Sequence, residues 1–278
     1  MESLADSAAL TAWAKAQHAA GHTIGFVPTM GFLHAGHASL MALLRPRVDQ
    51  LVVSVYVNPL QFGPGEDLDR YPRDPEGDAA LCRDQGVDAL FMPTDLYPDG
   101  FATSVSVHGL TDGLCGAKRP GHFEGVATVC ARLFGLTRAD LAAFGEKDYQ
   151  QLAVLRRMVR DLALPVEIVG APLVRDDDGV ALSSRNKYLS EGDRRRARTL
   201  HQALFAMQAS VVAGTREVAA VRELGQARID SDGIDYLEVV DAESLEPLST
   251  VAVGRPARAL VAAFYGTTRL IDNVHLGA

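Results

Sequence analysis

Cysteine is scarce in this sequence. Its three cysteines, Cys82, Cys115 and Cys130, are an odd number, lie far apart and form no C-x-x-C pair. This spacing argues against a disulfide framework and against a cysteine-based zinc site. It is typical of a reducing compartment, so we predict a cytoplasmic protein.

Long apolar runs and a basic N-terminal segment are also missing. Although 47% of the residues are apolar, no uninterrupted run approaches the length of a membrane-spanning helix. The first residues, MESLADSAALTAWAK, have neither the basic start nor the apolar stretch of a signal peptide, and their pattern predicts an amphipathic helix. We therefore predict no membrane partner.

Positive charge is in deficit as well. The formal net charge of −8 disfavours general binding of nucleic acid, which needs a basic surface. One basic run, RRRAR at 194–198, is interpreted as the solvated face of a helix that begins near Ser190. A small acidic substrate remains compatible with this charge, because local basic groups decide whether an anion binds.

Short apolar runs recur along the N-terminal part of the chain. Segments with helical spacing, HASLMALLRPRV (37–48) and DPEGDAALCRDQG (74–86), lie between some of them. Unbroken apolar strands that alternate with helices predict a Rossmann-like, doubly wound parallel sheet, in which ligands bind beyond the carboxyl ends of the strands. The predicted strands are TIGFVP (23–28), LVVSVYV (51–57), ALFMP (89–93), LAAFG (141–145) and VEIVGAPLV (166–174).

The sequence changes character after residue 174. A polar loop, RDDDGVALSSRNKYLS, leads into the helical pattern DRRRARTLHQALFAMQASVV, and Ser190 and Asp193 are spaced as a capping box for that helix. Two strand-like runs, IDYLEVVD and ARALVAAFYG, follow. We therefore predict an α/β fold with a Rossmann-like domain over 1–174 and a smaller α+β domain over 175–278.

The stretch PTMGFLHAGH, residues 28–37, leaves a predicted strand and enters a helix. Gly31 lets the backbone approach a ligand closely, and the N–H groups at the start of a helix attract anions. His34 and His37 add hydrogen-bond donors for phosphate oxygens. Helix capping commonly explains one such histidine but not two, and no third ligand supports a metal site. We predict a phosphate-binding turn.

Two polar segments follow other predicted strands. In VNPLQFG (57–63), Asn58 and Gln61 are suited to hold hydroxyl or carboxylate groups, although satisfying the turn backbone is an equally good interpretation. In FGEKDYQQL (144–152), Lys147 in the first turn of a helix opposes the helix dipole, which favours a bound anion. Gln151 lies one turn later and is expected to face the same way.

A third donor set, ALSSRN at 181–186, lies in the loop between the predicted domains. Two hydroxyl groups and an arginine form a compact set of donors for phosphate oxygens, which arginine can engage through two parallel hydrogen bonds. Together with the histidine turn and Lys147, this set predicts a nucleoside triphosphate as ligand.

The blocks taken together, and in this order, resemble the pantothenate synthetase (pantoate–β-alanine ligase) family. That family belongs to the nucleotidyltransferase superfamily with HIGH-like and KMSKS-like motifs, which PTMGFLHAGH and LSSRN match. VNPLQFG, RPGHFEGVATV and FGEKDYQQL also match blocks of the family. The resemblance is strong over roughly residues 20–190. Phe32 departs from it, because family members often carry a smaller residue there.

The resemblance implies an ATP-dependent ligase that condenses (R)-pantoate with β-alanine to pantothenate (vitamin B5), on the route to coenzyme A. The reaction would pass through pantoyl adenylate and release AMP and pyrophosphate. Mg²⁺ would accompany ATP, and no metal site made of protein ligands is expected. The predicted partners are these small molecules and a second copy of the chain in a homodimer.

Residue roles also follow from the resemblance. His37 is expected to be the proton donor, and the other expected catalytic residues are His34, Lys147 and Arg185. Gln61 is expected to bind both pantoate and β-alanine, and Gln151 to bind pantoate. The expected ATP-binding residues are Met30, Gly31, Phe32, Leu33, His34, Ala35, Gly36, His37, Gly145, Glu146, Lys147, Asp148, Val174, Leu182, Ser183, Ser184 and Arg185.

Three other functions share some of these features. A nucleotidyltransferase that adenylates a phosphate-bearing substrate would share the histidine motif, but it would need a further basic pocket in place of the glutamines. The acidic charge and short length disfavour a fragment of an aminoacyl-tRNA synthetase. A noncatalytic nucleotide-binding module is expected to lack at least one of the donor sets.

Overall fold

The computed structural model describes residues 1–277, and these residues form two compact units. Unit 1 comprises Met1–Glu146 and Gln150–Pro172. Unit 2 comprises Lys147–Tyr149 and the chain from Leu173 onward. The predicted boundary at residue 174 puts residues 147–149 in the first domain, whereas they belong to unit 2 here. The assignment of functions to the two predicted domains stays a prediction.

Unit 1 is built on a six-stranded parallel sheet with the strand order β1-β4-β3-β2-β5-β6. Strand β2 pairs with β3 on one side and with β5 on the other. The strand order therefore reverses beside β2, and doubly wound sheets bind ligands at such a point. The predicted Rossmann-like sheet is confirmed. Its strands are β1 (Glu2–Leu4), β2 (Ile24–Thr29), β3 (Gln50–Val55), β4 (Ala89–Phe91), β5 (Leu141–Gly145) and β6 (Glu167–Ala171).

Most of these strands consist of apolar residues buried on both faces. Phe26 and Val27 of β2 and Val52 and Val53 of β3 are fully buried, as expected for parallel strands covered by helices. Strand β1 differs, because only Leu4 of its three residues is buried. The sequence predicted a helix at the N-terminus and missed this strand, since three residues are too few to show an apolar pattern.

The helices of unit 1 include the two that were predicted beside the sheet. Helix α2 ends at Leu44 and continues as a 3-10 turn over Arg45–Arg47, since Pro46 lacks the N–H group that an α-helix needs. Helix α5 was not predicted, although its first residues lie in the RPGHFEGVATV block. The helices are α1 (Ser7–Ala19), α2 (Ala35–Leu44), α3 (Pro75–Asp84), α4 (Leu114–Lys118), α5 (His122–Thr137) and α6 (Tyr149–Asp161), whose first residue belongs to unit 2.

Unit 2 packs two helices against an antiparallel sheet with the order β7-β8-β9. The sequence predicted β7 and β8 but missed β9, because its run TRLIDNVH mixes polar and apolar residues without a clear alternation. It also missed α8. The elements are α7 (Glu191–Val212), α8 (Val218–Gln226), β7 (Gly233–Asp241), β8 (Ala257–Tyr265) and β9 (Thr268–His275).

Helix α7 begins where its sequence predicted. The Ser190 hydroxyl oxygen accepts a hydrogen bond from the N–H of Asp193 at 3.1 Å. The basic run at 194–198 is matched by carboxylates: Arg194 pairs with Asp176 and Asp178, and the neighbouring arginines also face acidic side chains.

Within residues 1–277, no helix has both the length and the apolar character needed to cross a bilayer.

Candidate active site

The turn between β2 and α2 has a backbone that only glycine allows at its tightest point. Gly31 has a φ of +84°, and a Cβ atom there would lie 2.8 Å from Val55 Cγ1 and 2.9 Å from Asp78 Oδ2. Both the positive φ and the lack of space exclude a larger residue. Phe32 follows with a φ of 52°, which is rare for a bulky side chain. Something must therefore hold this turn in shape.

Asp78 of α3 supplies that support. Its carboxylate oxygens accept hydrogen bonds from the backbone N–H groups of Phe32 at 3.0 Å and Leu33 at 2.6 Å. The residue is 2% exposed, and burial raises the pKa of its carboxyl group, although the two backbone hydrogen bonds act in the opposite direction. Sequence reasoning missed this residue. The available signal was an aspartate on the buried side of a short helix, four residues before the buried Cys82.

His34 and His37 cap the start of α2 reciprocally. Nδ1 of His34 accepts from the N–H of Gly36 at 3.1 Å, and Nδ1 of His37 accepts from the N–H of His34 at 3.2 Å. The ring centroids are 4.2 Å apart. The expectation that capping could not explain both histidines is therefore wrong, because the two side chains form a capping box together.

This capping fixes where each neutral histidine carries its proton. Because both Nδ1 atoms accept a hydrogen bond, the proton of each neutral imidazole sits on Nε2. Nε2–H is then a donor on the other side of the ring. Capping and the predicted phosphate contact use different nitrogen atoms, so one histidine can serve both purposes.

Gln61 and Met30, two predicted site residues, are in contact. Gln61 ends a 3-10 turn after β3 and is 8% exposed. Its Nε2 lies 2.9 Å from Met30 Sδ, and its Oε1 accepts from Asn58 Nδ2 at 3.1 Å. Asn58 is fully buried and caps the turn through the N–H of Leu60. Asn58 therefore satisfies the turn backbone and orients Gln61.

The main chain of Gln61 is held by residues of the RPGHF block. Its carbonyl oxygen accepts from His122 Nδ1 at 2.8 Å, and His122 Nε2 faces Arg119 Nη1 at 3.0 Å. Arg119 in turn makes two 2.7 Å hydrogen bonds to the carboxylate of Glu66. Burial acts to raise the pKa of Glu66, but the hydrogen bond and charge of Arg119 lower it overall. The charge of Arg119 is thus matched within the protein.

The neighbouring residues Gln150 and Gln151 differ in their surroundings. Gln150 is 4% exposed; it accepts from the N–H of Cys115 and donates to the carbonyl oxygens of Leu110 and Gly113, each at 2.9 Å. Gln151 is half-buried. Gln150 is therefore a structural residue that holds the chain before α4, and the substrate role of Gln151 stays a prediction.

Lys147 lies in a 3-10 turn over Glu146–Asp148, which follows β5 directly at Gly145. The sequence had placed it in the first turn of an α-helix, but α6 begins only at Tyr149. Its Nζ atom is 3.5 Å from Asp148 Oδ2, and its side chain is 23% exposed. A partly buried ammonium group in this position is suited to meet an anion.

The polar segment after Leu173 is more regular than the predicted loop. The N–H of Leu182 donates to the carbonyl of Val174 at 3.0 Å, which closes a short hairpin and brings two predicted ATP-binding residues together. A 3-10 helix follows over Ser184–Tyr188, capped by the hydroxyl oxygen of Ser183, which accepts from the N–H of Arg185 at 3.3 Å. Ser183, Ser184 and Arg185 are all half-buried.

The thiol groups and the acidic side chains offer little metal chemistry. All three cysteines are free and buried, and burial raises the pKa of the Cys82 and Cys130 thiols to about 12. In the part of the chain that the structure describes, no group of three or more His, Cys, Asp or Glu side chains is placed to hold a metal ion.

The fold and the turn at β2 define a class of protein. A doubly wound parallel sheet, with a glycine turn and a donor-rich helix start where its strand order reverses, is the architecture of α/β nucleotide-binding proteins.

Comparison with known proteins narrows this class to one family. The model of the pantoate-beta-alanine ligase family matches residues 2–275. The chain is 54% identical to the pantothenate synthetase of Myxococcus xanthus, over 95% of this chain and 92% of that protein. It is 50% identical to that of Moorella thermoacetica, over 99% of each. This chain belongs to the pantoate–β-alanine ligase family.

Solved structures agree with the assignment. Pantothenate synthetase from Thermus thermophilus superposes with a TM-score of 0.94 and 49% identity over 100% of both chains. Pantoate-beta-alanine ligase from Francisella tularensis, solved in complex with beta-gamma ATP and beta-alanine, gives a TM-score of 0.82 at 30% identity, over 99% of this chain and 97% of that one. The predicted family and enzyme class, an ATP-dependent ligase that forms pantothenate, are confirmed. The role of each site residue stays a prediction.

Proposed function

We propose that this enzyme forms pantothenate in two steps through an acyl adenylate. A carboxylate oxygen of (R)-pantoate attacks the α-phosphorus of ATP, the bond to the β-phosphate oxygen breaks, and pyrophosphate leaves. The amine of β-alanine then attacks the acyl carbon of pantoyl adenylate. The carbon–oxygen bond to AMP breaks, the amine loses a proton, and pantothenate and AMP are released.

The observation that carries this proposal is the pair of histidines at the start of α2. Their Nδ1 atoms accept from the backbone, which puts the proton of each neutral ring on Nε2. An Nε2–H group is a donor suited to phosphate oxygens at the start of a helix. Negative charge shifts onto the leaving pyrophosphate as the adenylate forms. Donors held rigidly where this charge develops stabilise the transition state more than the bound substrate. His37 is the proposed proton donor in a hydrogen bond from Nε2–H to the departing phosphate oxygen, and His34 is a second such donor to the phosphates.

The remaining ATP contacts are proposed from the match to the family motifs. In the β2–α2 turn they come from Met30–His37, whose backbone is shaped by Gly31 and Asp78. Lys147 and Arg185 would add positive charge, and Ser183 and Ser184 would add hydroxyl donors. The other proposed contacts are with Gly145, Glu146, Asp148, Val174 and Leu182.

Mg²⁺ is proposed to accompany ATP. Magnesium usually keeps several water ligands and binds through substrate phosphates with one or two carboxylates. Among the described residues, no group of three or more His, Cys, Asp or Glu side chains could hold a metal ion. We therefore propose that the triphosphate supplies most of the ligands of the metal. When bound, the ion would neutralise part of the phosphate charge. Lys147 and Arg185 would add further positive charge, and the neutral histidines would donate hydrogen bonds.

Pantoate and β-alanine are proposed to be recognised by side-chain amide groups. The buried amide of Gln61 would orient pantoate and then β-alanine, and Gln151 would bind pantoate. Arg119, which lies beside the Gln61 main chain, is already paired with Glu66. This arrangement favours a hydroxy acid over a phosphate-bearing substrate, which would need a basic group of its own.

A cytoplasmic location and a homodimer complete the proposal. Three buried free thiols suit a reducing compartment, and the family resemblance favours the dimer. Light scattering coupled to gel filtration measures the mass directly. A mass equal to one 29.8 kDa chain at micromolar concentration would contradict the dimer.

Isotope exchange between pyrophosphate and ATP tests the two-step reaction. Exchange should require only Mg²⁺, ATP and pantoate, because the first step is complete before the amine reacts. It should not need β-alanine, and it should fall sharply with 2-deoxy pantoate, since the amide that pairs with the 2-hydroxyl would lose its partner. An absolute requirement for β-alanine, or for a phosphorylated acceptor, would contradict the proposal.

A further inference from the structure

The three residues Lys147–Tyr149 are anchored by the C-terminal sheet, although they follow β5 in the chain. The carbonyl oxygen of Lys147 accepts from Asn273 Nδ2 at 3.0 Å. The hydroxyl of Tyr149 donates to the carbonyl of Ala242 at 2.8 Å, and the guanidinium of Arg258 lies 3.8 Å from the centre of its ring. The anchors lie on β8, on β9 and just after β7.

Asn273 links these anchors through the two ends of its amide. Nδ2 donates to the Lys147 carbonyl, while Oδ1 accepts from Nη1 of Arg258. Asn273 is 6% exposed and Arg258 is 9% exposed. The bond to Arg258 is buried and the bond to Lys147 is partly buried. Hydrogen bonds shielded from water are electrostatically stronger than exposed ones and rigidify the groups that they join. The Lys147 backbone is thereby fixed by a residue 126 positions further along the chain.

We propose that Asn273 is a positioning residue for Lys147. It touches no reacting atom; it fixes the backbone from which the Lys147 side chain reaches the ATP phosphates. The inference rests on the proposed role of Lys147 in adenylate formation. A long, flexible lysine side chain reaches a defined point only if its backbone is held, and a displacement of about 1 Å can cost on the order of a hundredfold in rate.

The adjacent residue Asp272 has a parallel arrangement. Its carboxylate, 2% exposed, makes hydrogen bonds of 2.6 and 2.9 Å to the guanidinium of Arg175, at the base of the hairpin that leads to Ser183–Arg185. Successive residues of a strand point to opposite sides. One short stretch of β9 therefore holds both segments of unit 2 that are proposed to contact ATP.

A double-mutant cycle between Asn273 and Lys147 tests the proposal. Asn273→Asp has the same shape and keeps an acceptor for Arg258, but it places a carboxylate oxygen against the Lys147 carbonyl. Asn273→Ala removes the bond without this repulsion and serves if the first variant does not fold. Each is combined with Lys147→Ala, and the rate of pantoyl adenylate formation is measured in a single turnover. Gln208→Ala is the matched control, since its amide also donates to a carbonyl of β9, that of His275, at 2.7 Å.

The expected result is strong coupling. Asn273→Asp should slow adenylate formation by roughly 10- to 100-fold in the natural background and by less than about threefold when Lys147 is already alanine. Equal slowing in both backgrounds, or slowing matched by Gln208→Ala, would overturn the positioning role. Wild-type speed in Lys147→Ala alone would instead overturn the role of Lys147, so the two failures are distinguishable.

Discussion

Replacing His34 by asparagine separates helix capping from phosphate contact. Asparagine is among the best N-cap residues, so its Oδ1 can replace Nδ1 as the acceptor for the N–H of Gly36. It has no group at the position of Nε2. His34→Asn should therefore keep the stability of the protein and lose the donor to phosphate. His34→Ala should lose both.

The two variants should differ in stability but not in the rate of adenylate formation. Loss of the cap in His34→Ala should lower the free energy of unfolding by about 1 kcal/mol, while His34→Asn should change it by only a few tenths of that. The rate of pantoyl adenylate formation should fall on the order of a hundredfold in both variants, as when one donor to a developing charge is removed. Urea unfolding and rapid-quench single turnovers measure the two effects.

The control variant is His108→Asn, which changes an exposed histidine outside the turn. It should leave the free energy of unfolding and the rate of adenylate formation unchanged. If His34→Asn forms the adenylate at the wild-type rate while His34→Ala is less stable, His34 is only a helix cap. The phosphate role would then be wrong.

Three further predictions concern other residues. Asp78→Asn should lower the free energy of unfolding by about 1–3 kcal/mol and raise the KM for ATP, since one backbone N–H of the turn would face an amide NH₂ group; urea unfolding and initial rates measure this. Gln151→Ala should weaken discrimination between pantoate and its 2-deoxy analogue while the KM for ATP changes little, as shown by pyrophosphate exchange. The hydrogen bond from Arg194 lowers the pKa of Asp178 from 3.8 to about 2, so its stabilising contribution should be complete above pH 3.8 and disappear as the pH falls towards about 2; thermal unfolding of Asp178→Asn against pH measures it.

Each of these has an outcome that contradicts it. An Asp78→Asn protein with unchanged stability and unchanged KM for ATP would show that the carboxylate does not hold the turn. Unaltered discrimination in Gln151→Ala would remove Gln151 from the pantoate site. Parallel stability curves for the natural protein and Asp178→Asn between about pH 5 and pH 2 would show that the ion pair with Arg194 contributes nothing.

The sequence predicted best the structural features that depend on residues close together in the chain. The apolar runs that became β2, β3 and β5 are buried on both faces, and the Ser190 cap follows from two residues three apart. Strands β1 and β9 were missed because one is too short and the other is mixed in polarity. Gly31 and the histidines were singled out from local spacing alone. Their capping box was not predicted.

Contacts between distant parts of the chain could not be predicted from pattern. Asp78 and Phe32 are 46 residues apart, and Asn273 and Lys147 are 126 residues apart. Each link is a single hydrogen bond between one side chain and one backbone group, so it leaves no periodic signal in the sequence. The residues proposed to meet substrate could be found from motifs, whereas those that hold them in place needed the fold.

The most direct test of the acyl adenylate uses pantoate labelled with ¹⁸O in its carboxylate. In the proposed reaction, the carboxylate oxygen that attacks the α-phosphorus stays on AMP when the amine displaces it. Mass spectrometry of the products should therefore find one ¹⁸O atom in the phosphate of AMP and the other in the amide carbonyl of pantothenate. If AMP carries no label, the carboxylate never bonded to the α-phosphorus, and the adenylate mechanism is wrong.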